Sequence, residues 1–216
     1  MVEWHKRLAP IHWLALYCLI IIVWSVWGVA DFGVWVFEIW VGLLGLAILL
    51  LTAKRFPFSN LVYVLVGVHF TVLALGAHYT YAEMPLFNWL RDTFHLARNH
   101  FDRVGHFMQG FTPAIVAREI LLRTTRLQPG KMIGFLSICV PFALSAFWEI
   151  LEMAIVLLFY KSEGMGWLGV QGDIWDAQWD MTMCLIGATL AVLLLSRLHD
   201  KSIEKALAGQ ARRRTS

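Results

Sequence analysis

Charge is scarce in this chain: Asp, Glu, Lys and Arg make up 15% of its 216 residues, where a soluble domain of that size carries about 25%. Water is therefore excluded as the solvent for most of the surface. No Pro/Gly/Ser-rich linker and no internal repeat interrupts the sequence, so one unit spanning 1–216 is expected. The three cysteines, Cys18, Cys139 and Cys184, each sit alone inside an apolar run. Neither disulfide nor metal-ligand spacing is present, and they are expected to pack as small apolar residues without bridging. Also missing are HExxH and any Ser or Cys nucleophile signature. Apolar residues run continuously instead of alternating, which excludes a transmembrane β-barrel.

What is present is long hydrophobic runs. A helix crosses the hydrocarbon core with about 20 mostly apolar residues. Such runs fall at about 10–30, 32–52, 59–80 and 132–160, with a fifth at about 178–198 opening on Gln178 and Asp180. A sixth, about 100–122, is weakened by Asp102, Arg103, His106 and Gln109. The first run is too long for a signal-peptide core and lacks a cleavage site, so it reads as a retained span. The expected fold is all-α: a polytopic bundle of about six transmembrane helices.

Lys and Arg fix the orientation. With both termini cytoplasmic, the inner segments hold Lys6, Arg7, Lys54, Arg55, Arg118, Arg123, Arg126, Lys131, Arg197, Lys201, Lys205 and Arg212 to Arg214. The outer ones hold only Arg91, Arg98, Arg103 and Lys161. That is a positive-inside distribution, and dropping the weak span would break it. In the outer loop, Pro85 starts a helix whose Leu86, Leu90, Phe94 and Ala97 form one apolar stripe suited to the interface. The basic tail after Arg197 reads as a topology determinant near anionic headgroups.

This topology brings the unusual residues to one leaflet. His78, Tyr79, Tyr81 and Glu83 end the third span, and Asn99, His100, Asp102, His106 and Gln109 open the fourth. Glu149 and Glu152 lie past the middle of the fifth, and Asp173, Asp176, Gln178 and Asp180 stand at the mouth of the last. Arg98, Asp102 and His106 step by four and Gln109 follows at three, one helical face if the helix reaches that far. Glu149 and Glu152 are three apart, with Ser145 on the same side. An ionisable group facing lipid costs at least about 2.5–3.5 kcal/mol, so these stripes face each other or water. Taken singly, Asn99 could cap the fourth span and Asp173 or Asp176 the last. Glu38, without an obvious partner, reads as structural, and His69 as a packing histidine. The glutamate pair resists that explanation, because two like charges inside a span need a shared proton or a cation.

The stretches RNHFDRVGHFMQGF (98–111), SAFWEILE (145–152) and GVQGDIWDAQWDM (169–181) resemble the YjdF family, bacterial inner-membrane proteins without an assigned molecular activity. The likeness extends over nearly the whole chain and implies a multi-pass protein of the bacterial inner membrane. The order Asp102-Arg103-x-x-His106-Phe107, a glutamate helix, then Asp173-x-x-Asp176-x-x-x-Asp180 before Gly187 is also similar to VanZ-like membrane proteins, which are linked to glycopeptide-antibiotic resistance. Asp180 departs from that pattern, where an amide is expected, and no resistance role is carried over.

Three functions remain open. An outer-leaflet enzyme acting on a lipid or lipid-linked substrate would use Asp102, His106, Glu149, Glu152, Asp176 and Asp180 as catalytic groups. Arg98, Asn99, Gln109, Gln171 and Asp173 would contact substrate. A divalent metal such as Mg, Mn or Zn would sit among His106, Asp102, Glu149 and Asp180. A proton- or ion-coupled carrier is the alternative, although the acids stop in the outer half and no inverted repeat is visible. A scaffold, in which the polar groups only fix packing, is the third. The bilayer is the one partner common to all; no nucleic-acid partner and no particular oligomeric state is expected.

Overall fold

Pro10 occupies the first turn of the first helix, where its missing N–H has no partner to lose. That helix, α1 (Pro10–Val26), stops earlier than the apolar run suggests. Gly28 turns the chain at φ +68°, a left-handed conformation that favours glycine. Asp31 then caps α2 (Phe32–Thr52), its carboxylate accepting the Val34 N–H at 2.9 Å. The computed structural model describes residues 9–159 and 173–215. Among these the remaining helices are α3 (Asn60–Tyr79), α4 (Pro85–Phe94), α5 (Phe101–Thr124), α6 (Lys131–Phe159) and α7 (Asp176–Thr215), with a short 3-10 turn at Tyr81–Glu83 and no strand.

Helices α2, α3, α6 and α7 are each long and apolar enough to cross a membrane. The surface is inverted relative to a soluble protein. Leu51, Leu193 and Leu194 are more than two-thirds exposed, while Arg98, Glu119 and His199 are buried. This is a helical, multi-pass membrane protein.

Helix α5 explains its own weak hydropathy. Eleven of its 24 residues are buried, and α3, α6 and α7 pack around it. A helix that faces other helices on most sides does not need an apolar surface. Its most extensive contact is with α7. The pairs Arg103–Asp180 and Arg118–His199 advance together along both chains, so the two helices run parallel. Between those pairs the backbones touch. A Cβ on Gly110 would lie 1.9 Å from the Cys184 carbonyl oxygen, and one on Gly187 would lie 2.1 Å from that of Phe107. Small residues at such crossings let membrane helices approach closely.

Two expectations are corrected at the periphery. Helix α4 begins at Pro85 and has no buried residue, as a surface helix should. It ends at Phe94, with His95 left-handed at φ 52°, so Ala97 falls off the expected stripe. The last helix does not end near 198 as its apolar run suggests, because α7 continues without a break through the basic tail to Thr215. All three cysteines are free thiols.

Candidate functional site

The start of α5, the start of α7 and the second half of α6 meet at one end of the bundle. Arg98 precedes α5 instead of lying on its face, because the helix begins only at Phe101. Its guanidinium nevertheless turns back onto Asp176, within 3.8 Å of Asp173 and 3.7 Å of Asp102. Arg103 reaches the same aspartates from the helix. It donates to Asp180, to Asp176 at 2.7 Å and to Asp173 at 3.3 Å. Asp173 also accepts the Trp175 N–H at 2.9 Å, which shapes the entry to α7. Two arginines and three aspartates thus bind α5 to α7. Fork-shaped guanidinium groups suit this arrangement, since each offers several donors in fixed geometry.

Deeper along α5 stands His106. Its Nδ1–H donates to the Gln109 carbonyl oxygen at 2.8 Å. That bond leaves Nε2 facing Asp102 at 3.5 Å and Asp180 at 3.7 Å. A bare nitrogen lone pair between two carboxylates is repelled, so Nε2 carries a proton or a cation there. One ligand atom from each of Asp102, His106 and Asp180 lies within 4.8 Å of the other two, a spacing a metal ion could draw together. Glu149 approaches the other side of the ring at 3.9 Å, and its Oε1 is buried without a hydrogen bond. Glu152 accepts from the Trp148 indole at 2.9 Å.

The sequence-based set therefore divides. Asp102, His106, Gln109, Glu149 and Asp180 converge on one point. Asp173, Asp176 and Arg98 form the ion-pair network beside it, and Glu152 lies within electrostatic reach of His106. Arg98 is buried against carboxylates from both α5 and the entry to α7. Asn99 is fully buried; its amide donates to Met84 O and Asn88, and its oxygen accepts the Phe101 N–H at 3.0 Å. It anchors α4 to the start of α5, whose N-cap position is His100 and not Asn99. Gln171 lies outside the described residues.

A family model described as "Predicted membrane protein (DUF2238)" matches residues 10–201. The chain belongs to this family. It is also 37% identical over 191 residues, 88% of this chain and 91% of the relative, to the inner membrane protein YjdF of Escherichia coli strain K12. No solved structure matches the chain. The likeness to VanZ-like proteins rests on the short motifs alone.

This DUF2238 protein holds site residues that the sequence did not single out. Arg103 is the hub of the ion-pair network. Glu38, read as structural for want of a partner, lies within electrostatic reach of Asp102 and His106. Tyr81, which the sequence had placed at this leaflet without a role, enters the same field, near Glu38, Asp102 and Glu152. Its ring fills the space where Gly76 and Gly105 lack side chains: a Cβ on either would approach it to 2.2 and 2.8 Å. The signal for Arg103 was its position, a cation near Asp102 in a segment where positive charge is otherwise scarce.

A second buried polar cluster corrects the expectation that acids stop in one half of the DUF2238 bundle. At the opposite end of α5 and α7, Glu119 and His199 are both fully buried. Arg118 can only donate, so His199 accepts at Nδ1 over 3.1 Å and donates from Nε2 to Glu119 over 3.0 Å. Glu119 also accepts from Arg123 at 2.8 Å and from the Ser59 N–H at 2.9 Å. Arg118 pairs with Asp200 at 2.7 Å. Replacing Glu119 with Ala leaves His199 Nε2 and the Ser59 N–H facing no acceptor and Arg123 with Pro57 O alone, and an expected loss of about 3 kcal/mol follows. Thermal unfolding of the detergent-solubilised variant measures this. An unchanged midpoint would show that the cluster contributes nothing to stability.

Proposed function

We propose that this protein is a metal-dependent enzyme of the outer leaflet, holding a divalent cation between Asp102, His106 and Asp180 and acting on a lipid or lipid-linked substrate. The observation that carries the reading is the His106 ring, held by Gln109 so that Nε2 faces Asp102 at 3.5 Å and Asp180 at 3.7 Å. Charge supports it further. Asp102, Glu149, Glu152, Asp173, Asp176 and Asp180 gather around two guanidinium groups and one imidazole, so in a largely buried space the carboxyls beyond those three cations need protons or a bound cation. A mixed oxygen and imidazole set suits Mn or Zn, and a metal there would act as a Lewis acid.

The protein's own groups have separable tasks. Gln109 fixes the tautomer and orientation of His106 from behind, the usual role of a partner to a ligating imidazole. Arg98 and Arg103 neutralise Asp173 and Asp176 and hold α7 in register. Glu149, with an oxygen that lacks a hydrogen bond, is placed to accept a proton from an attacking nucleophile.

Metal analysis of the protein purified in detergent without chelator tests the first step. A stoichiometric divalent ion is expected in the wild type, and its loss in Asp102→Asn and Asp180→Asn. A metal-free wild type that takes up no Mn or Zn on dialysis would end the metal reading. Incubation with extracted inner-membrane lipids tests the second: product should form with wild type and not with Glu149→Gln. A carrier is the second reading, favoured by the Glu119–His199 cluster at the opposite end of the same helix pair. Cation- or proton-coupled uptake into vesicles, without lipid turnover, would support that carrier instead.

The orientation belongs to the same proposal. Six spans, with α1 and α5 counted among them, place both termini and Arg126 in the cytoplasm and Glu83 outside. Reporter fusions after Arg126 and Ser216 should give cytoplasmic signals and one after Glu83 an external signal. A cytoplasmic signal after Glu83 would invert the topology and move the site to the inner leaflet.

A further inference from the structure

Away from the carboxylates, a cleft of about 850 Å³ opens between the start of α1, the 53–59 turn and the extension of α7. Ile11, Phe58 and Tyr63 form its buried floor. Its rim carries Lys54, Arg55, Lys201 and Lys205, all exposed, and among the described residues no Asp or Glu lines it. None of these four cations makes an ion pair among the described residues, whereas Arg118 and Arg123 at the same end do. Lys201 and Lys205 stand one helical turn apart, an arrangement that repels unless an anion lies between them.

The walls are fixed before any ligand arrives. Arg123 donates to Pro57 O at 2.7 Å and lies 3.8 Å over the Phe56 ring. Glu119 holds the Ser59 N–H, and the Phe58 N–H donates to the Tyr63 hydroxyl at 3.1 Å. The turn bearing Lys54 and Arg55 is thus tied from its buried side, with those two residues left on the cleft side. Ser202 accepts the Leu61 N–H at 3.2 Å, which fastens the lysine-bearing face of α7 to the start of α3. A fixed cationic rim over an apolar floor, at the ends of membrane helices, matches an amphiphile better than a free ion. The volume lies within the roughly 300–1,000 Å³ of ligand sites.

We infer that this cleft binds the phosphodiester headgroup of an anionic glycerophospholipid from the leaflet at that end of the bundle. Lys54 and Arg55 contact the headgroup from one wall, Lys201 and Lys205 from the other, and an acyl chain lies along the apolar floor. The inference stands apart from the carboxylate site and does not depend on its chemistry.

Native mass spectrometry of the full chain in a neutral maltoside, titrated with equal amounts of dioleoyl phosphatidylglycerol and dioleoyl phosphatidylcholine, tests it. Wild type should retain phosphatidylglycerol preferentially. Lys201→Gln with Lys205→Gln, and separately Lys54→Gln with Arg55→Gln, should each weaken that retention about tenfold. Arg126→Gln with Lys131→Gln removes the same charge from the same end, outside the cleft, and should leave it unchanged. Inorganic phosphate should displace the lipid no better than chloride at equal ionic strength. Equal retention of both lipids, or an equal loss in the control variant, would overturn the inference. Displacement by inorganic phosphate alone would replace the lipid with a free phosphate as occupant. Circular dichroism of each variant confirms that these exposed substitutions leave the helices intact.

Discussion

Arg103→Ala is expected to be among the most damaging single substitutions in this protein, costing about 3–5 kcal/mol. The arginine donates to Asp173, Asp176 and Asp180 and is itself almost fully buried. Its removal leaves Asp173 and Asp176 in a low-dielectric space with Arg98 to balance them, and Asp180 with His106. Unfolding of the detergent-solubilised variant, followed by tryptophan fluorescence, should show a midpoint lower by roughly 10 °C. Arg103→Lys keeps the charge but loses the fork, so it should recover only part of the loss. A normal midpoint for Arg103→Ala would mean the network is not holding α5 to α7. If activity fell while stability held, Arg103 would belong to substrate binding instead.

A comparable effect is expected from a single methyl group at Gly110. In Gly110→Ala the new Cβ meets the Cys184 carbonyl at 1.9 Å and the Ala188 nitrogen at 2.9 Å. Both obstacles are backbone, so no rotamer change relieves the clash. The helices must separate, and the ion pairs on either side of the contact lengthen with them. Overpacking of this kind costs about 1–3 kcal/mol before the lost pairs are counted. Gly45→Ala provides the control, because nothing lies within 4 Å of a Cβ there. Alanine is the better helix former, so that variant should be neutral or slightly stabilised. Folded yield and unfolding midpoint in the same detergent compare the two. A tolerated Gly110→Ala would show that the α5–α7 contact is looser than the structure has it.

Hydropathy located α2, α3 and α6 to within a residue or two, because their surfaces face lipid and must be apolar. It overran the end of α1, since Trp27 and Val29 are apolar and window averages do not register a left-handed glycine at 28. It nearly lost α5 for the opposite reason, as a helix enclosed by its neighbours can carry arginine, histidine and glutamate. Helical spacing brought out Asp102, His106 and Glu149 because each stands on a regular stripe. Arg103 escaped it, being the immediate neighbour of Asp102 and so about 100° around the helix; it stands instead in line with Gly110, seven residues on, on the face turned to α7. Glu38 had no partner in its own span, and its neighbours come from elements distant in sequence. Glu119 was hidden between Arg118 and Arg123, a cationic run that served only to set orientation. His199 lies beyond the last apolar run, where nothing in the sequence hinted at burial.

The forty residues of α7 extend about 60 Å, twice the depth of the hydrocarbon layer. Mechanically this helix is a beam with two pins and a bearing. Asp176 and Asp180 pin one end, His199 pins a point some 30 Å further on, and Gly187 rests against α5 between them. Sliding along its axis would break both pins at once, so piston travel is closed to it. Rocking about the glycine bearing would have to open one pin while the other is already at contact distance, so the two pins resist that movement as well.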